Sequence, residues 1–182
     1  MTPRRVVMLF SFVWCATIVL TPLLASSDGI APKFAGVSYD FFSRVCHQLD
    51  SRSFHVAGYK FAVCIRCFAI YLFFTAGMAL FPIIARKGLT RISSRSILLI
   101  GLTPMAIDVA LAVLGVSEST PFTRAVTGSF FGLALGFVLN PALEDIFANL
   151  NQRNLPSAFN QRILRNLRKR FQQHANPDAT QT

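Results

Sequence analysis

The sequence predicts an all-α integral membrane protein: a four-helix transmembrane bundle with an extracytoplasmic Cys/His loop and a basic, amphipathic C-terminal tail. Three observations carry that class. Apolar runs stand at about 6–25, 61–85, 96–115 and 125–143, each long enough to cross a hydrocarbon core of about 30 Å. Charged residues are only 14% of the chain against 53% hydrophobic, too apolar a balance for an ordinary soluble domain. The 18 lysines and arginines sit beside the apolar runs rather than along one stripe. Membrane topology therefore accounts for the net charge of +10, and nucleic acid is not expected as a partner.

The first run, 6–25, follows Arg4 and Arg5 and contains no charge. A cleavable signal peptide cut near Ala25-Ser26-Ser27 is the rival reading, but its apolar core would be long, so a retained span is expected. From 26 to 60 the chain is a mixed loop broken by Gly29, Pro32, Gly36 and Gly58. It is too long to be an idle connection. Val37, Phe41, Val45 and Leu49 recur every fourth residue and predict a short helix over 37–49, lying along the membrane surface with Cys46 and His47 at its end.

The second run is interrupted only by Arg66, near its start, and is followed by Arg86, Lys87, Arg91 and Arg95. The third contains Pro104 and Asp108; a short link then carries Glu118, Ser119 and Thr120. The fourth carries Gly128, Gly132 and Gly136, a spacing that lets another helix approach closely. That glycine face offers a docking surface for other membrane subunits, although glycine is also simply common in membrane helices. Residues 1–143 thus form the membrane domain and 144–182 a cytoplasmic tail. In the tail, Phe159, Ile163, Leu167 and Phe171 alternate with Arg162, Arg165, Arg168, Lys169 and Arg170, the pattern of a helix lying on an anionic lipid surface.

Four spans place both termini on one side. The N-terminus, the loop after the second run and the tail hold 12 of the 18 basic residues. The positive-inside rule therefore puts both termini in the cytoplasm of a plasma (inner) membrane and the long loop outside. On that outer side Cys46, His47, His55, Cys64, Arg66, Cys67, Glu118 and Arg124 gather, with Asp108 about two helical turns below. A carboxylate there needs a partner or a wet cavity, and Arg66 and Arg124 are the natural partners.

Cys64 and Cys67 share one face at the start of a helix, where the helix dipole and Arg66 favour thiolates. Tyr71 lies one turn further on the same face. Joined by Cys46 and His47, the pair makes a Cys3His set suited to zinc, with His55 as the substitute if adjacent residues cannot aim at one point. A second reading is a thiol–disulfide oxidoreductase with quinone as electron acceptor, which lacks a second full cysteine pair because Cys15 is too deep to reach Cys46. A third is an inert bridge pinning the loop to the bundle. Haem attachment has no Cys-x-x-Cys-His motif behind it, and Cys46-His47 lacks the orienting group a nucleophile and base require.

Cys46-His47-Gln48, Arg52-Ser53-Phe54, Val63-Cys64-Ile65-Arg66-Cys67 and Ile70-Tyr71, continued by Pro104, Asp108, Glu118-Ser119-Thr120, Arg124 and Thr127-Gly128, form one signature. In it the chain resembles a family of small prokaryotic integral membrane proteins of unknown function, over about 39–136. At Phe68-Ala69 it departs from the small residue and glycine of that pattern, which implies a reshaped cavity beside Cys67. The resemblance supports one shared site and names no reaction. The site expected from the residues is a metal centre of Cys46, His47, Cys64 and Cys67 over a pocket of Arg52, Ser53, Arg66, Tyr71, Asp108, Glu118 and Arg124. Its arginines suit an anionic lipid or a small anion.

Overall fold

The computed structural model describes residues 3–86, 93–153 and 168. Four of its helices are long and apolar enough to cross a membrane: α1 (Pro3–Ala25), α3 (Ile65–Arg86), α4 (Ser94–Val113) and α5 (Pro121–Arg153). A shorter helix, α2 (Ala31–Ser43), follows α1. Backbone contacts divide the chain into Met1–Leu143 and Glu144–Thr182. The first unit holds every feature described below; in the second, the described residues are helical through Arg153. The surface helix expected at 159–171 lies, Arg168 apart, outside the described residues, as does the basic loop at 87–92.

The hydroxyls of the first span find partners on their own helix, as an apolar surrounding favours. Ser11, Thr17 and Thr21 of α1 donate to the carbonyls of Val7, Val13 and Thr17, one turn back, at 2.7–2.9 Å. Local chemistry also sets the helix ends. Gly115 takes φ +70 just beyond α4, and Val116 N–H reaches Leu111 O at 3.0 Å, the closing bond of a Schellman turn. Thr120 caps α5, its hydroxyl accepting from Thr123 N–H at 3.2 Å, and Pro121 occupies the first helical position, where a missing N–H costs nothing. These two devices shift the expected spans: α4 stops at Val113, and α5 begins at Pro121 rather than 125.

Two expectations for the long loop need correction. The helix lies at Ala31–Ser43, not 37–49, because Pro32 starts it instead of breaking it. Val37, Phe41, Val45 and Leu49, the stripe that suggested a helix, are all exposed, whereas Ala35 and Phe42 are buried. A membrane protein can turn an apolar stripe outward, towards lipid. Beyond a 3-10 turn at Asp50–Arg52, the hairpin of β1 (His55–Val56) and β2 (Tyr59–Lys60) pairs His55 with Lys60 and Val56 with Tyr59. Its two central residues, Ala57 and Gly58, have φ +52 and +82, the backbone a type I′ turn requires. The second span also begins later than expected. Phe61, Ala62 and Val63 precede α3 and are apolar because they enter the core.

That core joins Ile18, Phe42, Cys46, Phe61, Ala62 and Val63. Trp14 closes one side, edge-on to Phe42 at 5.0 Å and Tyr71 at 5.8 Å. Phe68 completes a second aromatic cluster with Phe54 and Phe61, so the bulk expected to reshape the cavity beside Cys67 packs there. The glycines of α5 serve the chain itself. A Cβ at Gly128 would stand 2.8 Å from Arg66 O, and one at Gly136 2.6 Å from Phe74 O. At Gly132 it would overlap Ile70 O. The face expected to dock another subunit is therefore occupied by α3.

Candidate functional site

The end of α2 and the start of α3 meet at sulfur. Cys46 N–H donates to Phe42 O at 2.9 Å, which fixes the first thiol in a turn just past α2. Cys64 immediately precedes α3 and Cys67 occupies its first turn. The three ligand atoms lie within 4.8 Å of one another, with Cys46 buried and the other two half-buried. Cys64 N–H also donates to Cys46 Sγ at 3.2 Å. The Cys64 thiol is pulled down to about 5, first by its hydrogen bond with the Cys67 thiol, against burial, with help from the Cys67 amide and Cys46.

The loop is held in place by its own polar residues. Gln48, at φ +49, donates Nε2 to Tyr39 O at 2.8 Å and accepts on its carbonyl from Lys60 Nζ at 2.9 Å. Tyr39 Oη in turn donates to Lys60 O. Gln48 of the Cys-His-Gln signature is thus a positioning residue.

Both expected histidine ligands lie elsewhere. His47 is exposed and stands outside the group of convergent ligand atoms. The chain leaves a tight turn there, which sends adjacent side chains in different directions. His55 pairs with Asp50 across 3.2 Å on the exposed hairpin. Cys15 is buried against Thr75 Oγ1, at 4.0 Å, and is likewise outside the group.

A polar network lies alongside the thiols. Arg66 Nη2 donates to Asp108 Oδ2 and, at 3.0 Å, to Ser119 Oγ. Ser119 donates to Asp108 Oδ2 at 2.8 Å, and Arg124 Nε donates to Ser119 Oγ at 3.2 Å. Asp108, costly at that depth without a partner, is satisfied by Arg66 and a hydroxyl. The network ties α3, α4 and the start of α5 together.

Above it opens a cavity of about 560 Å³ lined by Ser51, Arg52, Ala112, Glu118, Ser119, Thr120, Pro121 and Arg124. Of the residues expected around a pocket, Arg52, Glu118 and Arg124 line it, while Arg66 and Asp108 support it from behind through Ser119. Ser53 and Tyr71 do not take part. The Ser53 hydroxyl donates to Leu49 O at 3.0 Å within the 3-10 turn. Tyr71 faces a second, apolar cavity between α1 and α3, shared with Trp14 and Phe74. Ser51 and the hub Ser119 were not singled out as site residues. For Ser119 the signal was its place between Glu118 and Thr120 in the signature, whereas Ser51 carried none.

An uncharacterized protein of Methanocaldococcus jannaschii is 37% identical over 110 residues, which are 60% of this chain and 70% of that protein. No solved structure matches the chain. The family model that matches spans residues 46–138, from the first thiol of the cluster through the arginine cavity and into α5. Covering half of the sequence and the whole of the candidate site, that match establishes that the chain belongs to the family described as Predicted membrane protein (DUF2085).

Proposed function

We propose that the three thiols bind a metal ion, zinc being the ion that suits them, and that the arginine cavity alongside takes an anionic group. One observation carries the metal reading: Cys46, Cys64 and Cys67 bring their sulfurs within 4.8 Å of one another as free thiols. Tetrahedral zinc–thiolate bonds of about 2.3 Å set sulfurs roughly 3.8 Å apart, so a small contraction closes the triangle on an ion. The depressed Cys64 thiol and the amide donated to Cys46 both favour the thiolate form that metals bind. With His47 outside the cluster, no fourth ligand joins the thiols among the described residues, and the ion keeps one position open. Three protein ligands and an open position characterise binding or catalytic zinc rather than a closed structural site. The placement of lysine and arginine supports a site on the outer side of a plasma (inner) membrane, both termini being cytoplasmic.

Elemental analysis of the purified full chain tests this. The expected result is about one zinc per chain, falling below about a tenth in Cys64→Ser and unchanged in His47→Ala. Zinc lost in both variants would restore the four-ligand site. Metal-free protein whose thiols become alkylatable only after reduction would overturn the metal reading. It would favour the second one, in which Cys64 and Cys67 are oxidised to a disulfide and pass two electrons and two protons to a quinone, giving quinol. The acidic Cys64 thiol, in the range of exchange-active cysteines, supports that chemistry.

A further inference from the structure

We infer that the arginine cavity is selective for a phosphodiester bearing a primary amine, the chemistry of an ethanolamine phospholipid headgroup. The inference rests on the cavity being an anion site and is independent of any metal at the thiols. Depth comes first. The lining residues Ala112 and Pro121 are at the end of one span and the first residue of the next, so the cavity opens at the level where headgroups meet the hydrocarbon.

Charge comes second. Arg52 and Arg124 form no ion pair with a carboxylate among the described residues, Asp108 being spent on Arg66. Among the described residues Arg124 bonds through Nε, to Ser119, which leaves its two terminal nitrogens for a ligand. Two guanidiniums presented together suit paired phosphate oxygens. The same cavity also contains Glu118, likewise without a cationic partner among the described residues. A phosphate dianion would be repelled by that carboxylate, and a bare phosphodiester would leave it unmatched. An ammonium attached to the phosphodiester pairs with it, while the phosphate takes the arginines. A volume of about 560 Å³ is within the range of small-ligand pockets.

The same group occurs in a lipid and in soluble glycerophosphoethanolamine, so both are probes. The purified full chain in detergent is titrated calorimetrically with short-chain phosphatidylethanolamine, phosphatidylglycerol and phosphatidylcholine, with glycerophosphoethanolamine, and with inorganic phosphate. The expected result is phosphatidylethanolamine bound about tenfold more tightly than the other two lipids, the preference vanishing in Glu118→Gln. Arg52→Gln, on an exposed side chain with no side-chain hydrogen bond or ion pair among the described residues, is expected to weaken every phosphate ligand by about tenfold with helix content unchanged. Glycerophosphoethanolamine binding as well as the lipid identifies a soluble ligand; binding of the lipid alone identifies the membrane as source. Either supports the assigned chemistry. Equal binding of the three headgroups, still weakened in Arg52→Gln, overturns the ethanolamine assignment and leaves the anion site standing. No binding of any phosphate probe overturns both.

Discussion

Cys64 concentrates the site's reactivity in one atom. Its thiol is held near 5 chiefly by the Cys67 thiol, whose hydrogen bond favours sulfur as an anion and outweighs burial. Because the shift is downward, the group is a thiolate above its folded value and takes up a proton below it. Its contribution to stability is full above the unfolded value near 9 and is lost as pH falls through about 5. In reduced, chelator-treated protein, the first thiol to react with iodoacetamide is therefore expected to keep its full rate from pH 8 down to about 6, halving near 5. A rate that instead halves near the ordinary cysteine value of about 8.5 would show that the thiols do not share a proton. Much at this scale was legible: the Cys-x-x-Cys spacing placed two thiols on one helical face, and Cys46 was correctly grouped with them. His47 and Ser53 were not, because irregular backbone between α2 and α3 has no fixed period to tell where neighbouring side chains turn.

Helix packing here depends on surfaces too close for any side chain. Gly128, Gly132 and Gly136 place the α5 backbone against the carbonyls of Arg66, Ile70 and Phe74, the close approach through which small residues drive association where water supplies no force. Gly132→Leu is expected to break the bundle itself, while Gly132→Ala costs about 1–3 kcal/mol through overpacking, measured by unfolding in mixed micelles. Gly36 of α2 provides the contrast. An added Cβ there meets nothing within 4 Å, so Gly36→Ala is expected to stabilise the protein by roughly 0.5–1 kcal/mol, since alanine loses less freedom on entering a helix. If both alanine variants were neutral, close packing would not be what holds α5 to α3. The four spans and the glycine periodicity could be read in the sequence because length and spacing encode them directly. The partner of the glycine face could not, since the same three residues serve an internal helix and an external subunit equally well. The phase of α2 was hidden for a related reason. In lipid an apolar stripe marks the outside as readily as the core, and the quieter pair Ala35 and Phe42 points inward.

The chemistry-bearing residues of the whole molecule collect at one end of three spans. Cys64 precedes α3, Asp108 lies in the last two turns of α4, and Ser119 and Arg124 flank the beginning of α5. A chain that enters at α3, returns through α4 and enters again at α5 brings those positions to the same membrane face. The hydrogen bonds from Arg66 to Asp108 and Ser119 then close the three elements there, so the thiols and the arginine cavity form one region whose sidedness decides what it can meet. Of the 18 lysines and arginines, 12 are at the termini and at 86–95, around the junction of α3 and α4, segments that the positive-inside rule would assign to the cytoplasm. A fluorescent protein that matures only in the cytoplasm, fused after Thr182, is therefore expected to glow, and an alkaline phosphatase that folds only outside, fused at the same point, to stay silent. Fusions placed after Gly115, between α4 and α5, should give the opposite pair of results. A silent fluorescent fusion at Thr182 beside an active phosphatase would put the thiols in the reducing cytoplasm, where a disulfide exchange site loses its oxidant and an outer-leaflet headgroup is out of reach.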